Sequence, residues 1–290
     1  MAEIKEEKKE YRLPRWMKAP FPKGKDYSRV KNLVHEHKLN TICVSGNCPN
    51  KGECWNAGTA SFMIMGNKCT RNCRFCDVIN QIPSPLDWDE PIRLAETIKK
   101  LKLKHCVITS VTRDDLIDGG AEFWATTIKS IKKANPEITI ETLIPDFMGN
   151  QAHLQLIFDA KPEVISHNLE TVRRITPKIR SHSRYERSLK VLEYISESGI
   201  ISKSGIMLGL GEKEDEVIET LRDLRHVNCK VVTIGQYLQP SPHHARVEKF
   251  VEPEMFKLYE KIGYEMGFNY VESSPLVRSS YHAERHVNAR

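Results

Sequence analysis

The sequence has no long apolar run. No segment of its 290 residues comes near the roughly 18 to 20 consecutive apolar residues that span a bilayer. The opening residues, MAEIKEEKKEYRLPRW, also lack the apolar centre of a signal peptide, and their glutamates are unusual for a transit peptide. We therefore expect a cytoplasmic protein that does not enter a membrane.

The sequence also lacks blocks of charge of one sign. The net charge is +6, but Lys and Arg are spread along the chain and usually stand beside Asp or Glu. This pattern is typical of a solvated surface rather than of a basic patch that binds nucleic acid. We expect no nucleic-acid partner.

Neither group of clustered cysteines has the four members that a structural zinc site needs. Six of the eight cysteines form two triplets. The first triplet is Cys43, Cys48 and Cys54, and the second triplet is Cys69, Cys73 and Cys76. In a reducing compartment such clusters favour metal ligands over disulfides, and three thiolates leave a metal open to a further ligand. The isolated Cys106 and Cys229 are expected to be small buried apolar residues.

From residue 60 onward, short apolar runs alternate with helical patterns, as in repeated βα units. The six strand candidates are Ser61–Met65, Cys106–Ser110, Ile138–Leu143, Val164–His167, Ser204–Leu208 and Val231–Gly235. Between them, apolar residues at i, i+4 and i+7 predict amphipathic helices. The predicted class is α/β, with either an open doubly wound sheet or a barrel. A charged arm that lies outside the core and a short helix near Tyr27–His37 are expected before this α/β part of the chain.

Both of these folds place functional groups at the carboxyl ends of their strands. Polar residues follow several predicted strands: Cys69 follows the first, Ser110–Asp115 the second, and Asn168 with Glu170 the fourth. The sequence therefore predicts an active site at this edge of the sheet.

The second triplet lies on the loop after the first predicted strand. Three thiolates within eight residues suit a four-iron four-sulfur cluster whose fourth corner stays free. Lys68, Arg71 and Arg74 alternate with these cysteines. We expect the three cations to lower the pKa of the thiols and to offset the negative charge of the liganded cluster.

The spacing C-x3-C-x2-C on this loop resembles the signature of the radical S-adenosylmethionine (SAM) superfamily. The resemblance implies that the free iron chelates SAM, which is then cleaved to a 5′-deoxyadenosyl radical. Phe75, just before the third cysteine, would pack near the adenine. A SAM pocket also needs an acid, amides and a base. The candidates are Asn168 and Glu170 for the ribose and ammonium, Arg180 for the carboxylate, and Ser110 or Thr112 for further polar contacts.

A longer set of segments resembles the lipoyl synthases. These segments are FMIMGNKCTRNCRFCDV, RDDLIDGGA, ETLIPDF, HNLET, KSGIMLGLGE, TIGQYLQPS and PLVRSSYHAE. The resemblance implies a partial (β/α)6 barrel of the TIM type. Residues 60–268 would form the barrel, residues 1–59 an N-terminal extension with the first triplet, and residues 269–290 a C-terminal extension with the R-S-S-Y motif.

The same resemblance implies a second, auxiliary four-iron four-sulfur cluster, held by the first triplet and Ser280, with Ser279 as the alternative. Its sulfides would be inserted at C6 and C8 of an octanoyl chain on a lysine of a lipoyl carrier protein, with one radical consumed per C–S bond. The implied partners are that octanoylated carrier protein, an electron donor such as flavodoxin or ferredoxin, and an iron–sulfur carrier protein that rebuilds the cluster.

Three other readings remain open at this point. A biotin-synthase-like enzyme would share the radical chemistry but not the R-S-S-Y segment. A two-cluster electron carrier would complete each cluster with four thiolates. A zinc-stabilised module that binds nucleic acid would contain zinc instead of iron and sulfide.

Overall fold

The structure is a computed structural model and describes residues 13–18, 25–57 and 60–288. Its strands are β1 (Asn40–Thr41), β2 (Ser61–Ile64), β3 (Lys68–Cys69), β4 (Ile79–Asn80), β5 (His105–Ser110), β6 (Thr139–Leu143), β7 (Val164–Ser166), β8 (Ile201–Leu208), β9 (Val231–Gln236) and β10 (Tyr270–Ser273). Its α-helices are α1 (Lys25–Glu36), α2 (Ile42–Ser45), α3 (Lys51–Asn56), α4 (Glu90–Leu101), α5 (Ala121–Ala134), α6 (Gln151–Asp159), α7 (Thr176–Ile179), α8 (Tyr185–Glu197), α9 (Glu214–His226) and α10 (Pro253–Glu265). Short 3-10 helices lie at Arg15–Met17, Phe147–Gly149 and Ala283–Asn288.

One large sheet has the strand order β1-β2-β5-β6-β7-β8-β9-β10. All its neighbouring strands pair in parallel except β1, which is antiparallel to β2. From β2 onward, and with the separate pair β3 and β4 set aside, the strands of this sheet follow one another in chain order, without the reversal of order that defines a doubly wound sheet. The sheet instead winds in one direction, as a barrel does. The predicted partial barrel is confirmed.

The six predicted strands are present, with bounds that shift by one to three residues. The sequence analysis did not predict β10, which pairs in parallel with β9. This strand belongs to the segment assigned to the C-terminal extension, so the barrel sheet continues into that segment. The division of the chain into three parts remains a prediction.

The helices cover the outer face of the sheet, because each has one apolar stripe. On α5, Trp124, Ile128 and Ile131 are completely buried, as the i, i+4, i+7 pattern predicts. Cys106 and Cys229 are also buried, which confirms the expectation for them. Among the described residues, no helix combines the length and apolar content needed to cross a membrane.

The N-terminal part of the chain packs on the barrel. The helix predicted near Tyr27 is α1, and the Tyr27 ring lies 5.3 Å from that of Trp55 on α3. The expectation that the preceding arm lies outside the core is wrong for Met17, which is buried, whereas Leu13, Arg15, Trp16 and Lys18 are exposed. The other arm residues predicted with it lie outside the described part of the chain.

Candidate active site

The second triplet lies at the carboxyl end of the first barrel strand. A short parallel pair, β3 with β4, closes the base of its loop: Lys68 is opposite Ile79. The backbone N–H groups of Arg71 and Thr112 point at the Cys69 sulfur, at N to Sγ distances of 3.5 and 3.3 Å. Such N–H contacts stabilise a thiolate and tune an iron–sulfur cluster that it binds.

Arg71 fixes this loop to two neighbouring loops of the barrel. Its guanidinium is buried, and it donates to Asp114 at 2.7 and 2.8 Å and to Asp146 at 2.7 Å. Burial would raise the pKa of Asp146, but the Arg71 cation outweighs this and holds that pKa at about 2. The loop is therefore positioned by its own ion pairs.

The net pKa of two thiols of the second triplet is raised, although Arg71 acts on Cys73 in the expected direction. Burial raises the pKa of Cys73 to about 11 and that of Cys76 to about 12. The cations of Arg180 and Arg71 act on Cys73 in the opposite direction, but they are outweighed. Because these thiols hold their protons near neutral pH, metal binding at this loop must release protons.

The first triplet lies on two short helices and the turn between them. Cys43 is on α2, Cys48 is on the turn, and Cys54 is on α3. Burial raises the pKa of all three thiols, to about 12 for Cys54, and the charge of Cys43 contributes to the shift at the other two. The three sulfurs therefore lie near one another.

The eight cysteines are free thiols. Within the described residues, no three His, Cys, Asp or Glu side chains form a site for a single metal ion.

The C-terminal segment brings Ser280 to the first triplet. The Ser61 hydroxyl donates to the Ser280 hydroxyl at 2.7 Å, and Ser61 also hydrogen-bonds Cys43. The Ser279 hydroxyl instead donates to the Asn168 amide oxygen at 3.0 Å. Of the two serines, Ser280 therefore faces the first triplet, whereas Ser279 faces the end of β7.

One cavity of about 490 Å³ lies between the two triplets. Its walls include Cys43 and Cys48 of the first triplet, Cys76 of the second, and both serines. The rest of the lining is largely apolar, with the charged side chains of Asp77, Glu141 and Arg278 among it. Its apolar residues come from the N-terminal segment, β5, β6, β8, the loop after β9 and the C-terminal segment: Leu13, Ile42, Val107, Leu143, Ile206, Met207, Tyr237, Leu238 and Val277. Cys54 and Ser280 line a second cavity of about 420 Å³ on the other side of the first triplet.

Three of the six predicted SAM-binding residues line the first cavity, namely Phe75, Asn168 and Glu170. Glu170 has a positive φ of 68°, and burial raises the pKa of its carboxyl. Both features are typical of a functional position.

The other three residues do not line that cavity. Arg180 is buried, and one of its guanidinium nitrogens donates to the carbonyls of Asn168 and Leu169 at 2.9 and 3.0 Å. Thr112 contacts Cys69 through its backbone, and the Ser110 hydroxyl is buried with no hydrogen-bond partner among the described residues.

Four buried polar residues inside the barrel were not predicted as functional from the sequence: Ser61, Glu141, Lys203 and His286. Glu141 and Lys203 stand in apolar strands, and their charge was a signal that could have drawn attention to them. Ser61 and His286 have no comparable signal in the sequence.

The donors fit two iron–sulfur clusters. Each triplet offers three thiols, and the first has a hydroxyl beside it. Thiolates are the usual ligands of such clusters, and N–H groups already point at one sulfur of the second triplet.

A thiol triplet on the first loop of an incomplete parallel barrel defines the radical SAM class, and the family model described as "Radical SAM superfamily" matches residues 63–224. Solved structures show the same fold. Methylornithine synthase superposes with a TM-score of 0.56 at 14% identity, over 85% of this chain and 76% of that one. SuiB of Streptococcus suis, bound to SAM, superposes with a TM-score of 0.60 at 13% identity, over 78% of this chain and 55% of that one.

Sequence relatives define the family more narrowly. A model described as the N-terminal domain of lipoyl synthase matches residues 2–48. The mitochondrial lipoyl synthase of Nematostella vectensis is 57% identical over 95% of both chains. The lipoyl synthase of Christiangramia forsetii is 54% identical over 99% of both. The chain belongs to the lipoyl synthase family. It is a sulfur-inserting radical SAM enzyme that uses SAM and four-iron four-sulfur clusters.

Proposed function

We propose that this enzyme inserts two sulfur atoms, at C6 and C8, into an octanoyl chain carried on a lysine of a lipoyl carrier protein. The observation that supports this most directly is the shared cavity: both triplets border it, and its walls are largely apolar. An aliphatic chain suits such walls, and a chain placed there lies between a site for SAM and a source of sulfur.

In this proposal Cys69, Cys73 and Cys76 hold the cluster that binds SAM, and when bound this cluster supplies the electron that cleaves the sulfonium. Phe75, Asn168 and Glu170 contact SAM from the cavity wall. Arg180 orders this wall, because it holds the carbonyls of Asn168 and Leu169. Direct SAM contacts by Ser110, Thr112 and Arg180 remain predictions from the resemblance.

Cys43, Cys48, Cys54 and Ser280 hold the auxiliary cluster, which is consumed as the sulfur substrate. Ser280 is proposed rather than Ser279 because its hydroxyl lies beside Ser61 and hence beside Cys43. A hydroxyl oxygen is a harder ligand than a thiolate and less suited to iron in such a cluster. The serine therefore provides a corner from which the cluster can be opened.

The carrier protein must reach the open side of this cavity with its octanoyl-lysine arm. The remaining partners are an electron donor such as flavodoxin or ferredoxin and an iron–sulfur carrier protein that rebuilds the consumed cluster. Cytoplasmic location remains a prediction from the sequence.

The test is mass spectrometry of an octanoyl-lysine peptide after incubation with the anaerobically reconstituted chain, SAM and a chemical reductant. The parent chain should yield the peptide with two sulfurs added, as the dihydrolipoyl dithiol under these reducing conditions. Cys54→Ala should still cleave SAM but should not form the peptide with two added sulfurs. Cys73→Ala should neither cleave SAM nor insert sulfur. Cys106→Ala, a buried cysteine outside both triplets, is the control and should behave like the parent.

Ser280→Ala and Ser279→Ala separate the two serines. Loss of sulfur insertion and of part of the bound iron only in Ser280→Ala supports the assignment. Full insertion by Cys54→Ala would refute the role of the first triplet as sulfur source, and loss of iron only in Ser279→Ala would move the ligand to that residue.

A further inference from the structure

Three charged or titratable side chains meet inside the barrel, where one of them, Glu141, also lines the first cavity. They are Lys203 on β8, Glu141 on β6 and His286 on the 3-10 helix Ala283–Asn288. All three are 0% exposed. The Lys203 ammonium donates to the Glu141 carboxylate at 2.5 Å. His286 Nδ1 lies 3.0 Å from the ammonium and 3.3 Å from the Glu141 carboxylate, so it accepts from Lys203 in one tautomer and donates to Glu141 in the other.

The third acceptor of the ammonium is not a side chain. Lys203 Nζ also donates to the main-chain carbonyl of Ser279, at 2.5 Å. An ammonium group has three N–H donors, and all three are used here when His286 accepts. Because a buried ion pair is stable only when its donors and acceptors are satisfied, this pair depends on the C-terminal segment being in place.

The electrostatics of Glu141, Lys203 and His286 are consistent with this arrangement. Burial would raise the pKa of Glu141, but the Lys203 cation outweighs it and the pKa is about 2. Burial lowers the pKa of His286, and the neighbouring Lys203 cation lowers it further. Burial also lowers the pKa of Lys203, and the charge of Glu141 opposes this shift, so the ammonium depends on its pairing with the Glu141 carboxylate.

The barrel register places this cluster level with Ser61. Ser61 on β2 is opposite Val107 on β5, and Val107 is opposite Glu141 on β6. The Ser279–Ser280 peptide crosses the interior at this level, with the Ser279 carbonyl on Lys203 and the Ser280 hydroxyl on Ser61. Because a peptide bond joins Ser279 to Ser280, holding the Ser279 carbonyl in place restricts the position of Ser280.

We propose that Lys203, Glu141 and His286 form a C-terminal lock: positioning residues that hold the R-S-S-Y segment inside the barrel and so present Ser280 to the first triplet. As far as Ser280 is a cluster ligand, the proposal rests on the proposed function. The lock itself concerns only how the R-S-S-Y segment is held inside the barrel. Among the described residues, the lock makes no hydrogen bond to Cys69, Cys73 or Cys76. Its loss should therefore affect the first-triplet site rather than the second-triplet site.

The first test compares Lys203→Met/Glu141→Gln with Lys132→Met/Glu163→Gln. The control removes a pair of the same residue types that is half-buried rather than fully buried, in which Lys132 contacts Glu163 at 2.8 Å and a main-chain carbonyl, away from the C-terminal segment. Removing both charges avoids leaving a buried unpaired ion, so both chains should fold. Hydrogen exchange of the amides in residues 276–288 should be at least about tenfold faster in the first variant, and unchanged in the control.

The second test measures iron and acid-labile sulfide in a background where Cys69, Cys73 and Cys76 are all replaced by Ala, so that only the first triplet can load. Lys203→Met/Glu141→Gln should lose most of the remaining iron, and the control pair should retain it. His286→Phe, which leaves the ion pair but removes one acceptor, should show an intermediate loss.

Parent-like exchange of residues 276–288 in the Lys203→Met/Glu141→Gln chain would overturn the lock. Faster exchange with the iron retained would overturn the delivery of Ser280. If instead Ser280→Ala keeps its iron while the lock variant exchanges faster, the lock holding the segment stands and the ligand assignment in the proposed function fails.

Discussion

Glu90 on α4 is a buried carboxyl that holds the end of the first barrel strand. Its carboxylate accepts a hydrogen bond from the Met65 backbone N–H at 2.8 Å, just before the loop of the second triplet. Burial outweighs this bond and raises the pKa of Glu90 to about 7, from an ordinary value of 4.5. The folded chain therefore binds this proton more tightly than the unfolded chain does, and stability falls as pH rises between these two values.

We predict that Glu90→Gln stabilises the metal-free chain above about pH 7.5 by up to about 3 kcal/mol, with little effect below about pH 4.5. The amide oxygen can still accept from Met65, but it has no charge to bury. Denaturant unfolding at both pH values measures the difference. An equal change at both would contradict the explanation.

Gly205 on β8 leaves no room for a side chain. A Cβ atom there would lie 2.7 Å from the Thr233 hydroxyl and 3.0 Å from the Asn168 amide oxygen, which accepts from Ser279. The glycine therefore allows the wall of the cavity and the C-terminal segment to meet.

Gly205→Ala should cost about 1–3 kcal/mol in unfolding free energy, because Thr233 or Asn168 must move. Adding Thr233→Ala should recover part of that loss, since it removes the closest atom. Thermal unfolding of the two single variants and the double variant gives the coupling free energy between Gly205→Ala and Thr233→Ala. Additive losses would rule out this contact as the cause.

At the scale of elements, the loops at the carboxyl ends of β2, β5 and β6 are joined by Arg71, through Asp114 and Asp146. Arg187 on α8 adds a second cation to Asp146 at 2.8 Å. These loops form the rim on which the second triplet lies, so charge pairs join the parts of this rim to one another.

Arg71→Lys should lower the iron retained by the second triplet several-fold and cost about 1–3 kcal/mol in stability, because one ammonium cannot reproduce the forked contacts of the guanidinium. Arg174→Lys is the matched control. Its pair with Glu216 is also two-pronged but exposed, at 2.6 and 2.8 Å, and the substitution should change neither quantity measurably. Similar effects of both variants would contradict the argument.

For the whole molecule, the residues around the first triplet contact the C-terminal segment. The Asn50 side chain, which is buried, donates to the Leu276 carbonyl at 2.7 Å, and the Tyr281 hydroxyl donates to Glu53 at 3.1 Å. The N-terminal residues that hold the first triplet and the C-terminal segment with Ser280 thus stabilise each other.

Asn50→Ala should cost about 1–3 kcal/mol, because it leaves the Leu276 carbonyl without its buried donor. Tyr281→Phe removes an exposed hydrogen bond of the same contact and should cost well under about 1 kcal/mol. Chemical denaturation of both variants measures this difference. A larger loss in Tyr281→Phe would show that the two segments are joined elsewhere.

Much of the fold could be predicted from local pattern. The stripes of α5 and α9 and the apolar runs of six strands repeat at periods that only a helix or a strand satisfies. The strand β10 was missed because its four residues, Tyr270–Ser273, alternate in burial and are followed by polar residues that read as a tail. The buried ion pair of Lys203 and Glu141 was missed because its two members are 62 residues apart, and the local pattern around each gives no sign of the other.

The sequence by itself determined the chemistry of the ligands, because the two triplets have their spacing in the covalent chain and three thiols limit what they can bind. Tertiary structure alone decided that both triplets border one cavity and that Ser280 returns to the first of them. The Ser61 to Ser280 hydrogen bond joins residues 219 positions apart. No periodicity encodes such a contact, since it exists only once the barrel has curled and its interior has closed around the C-terminal segment.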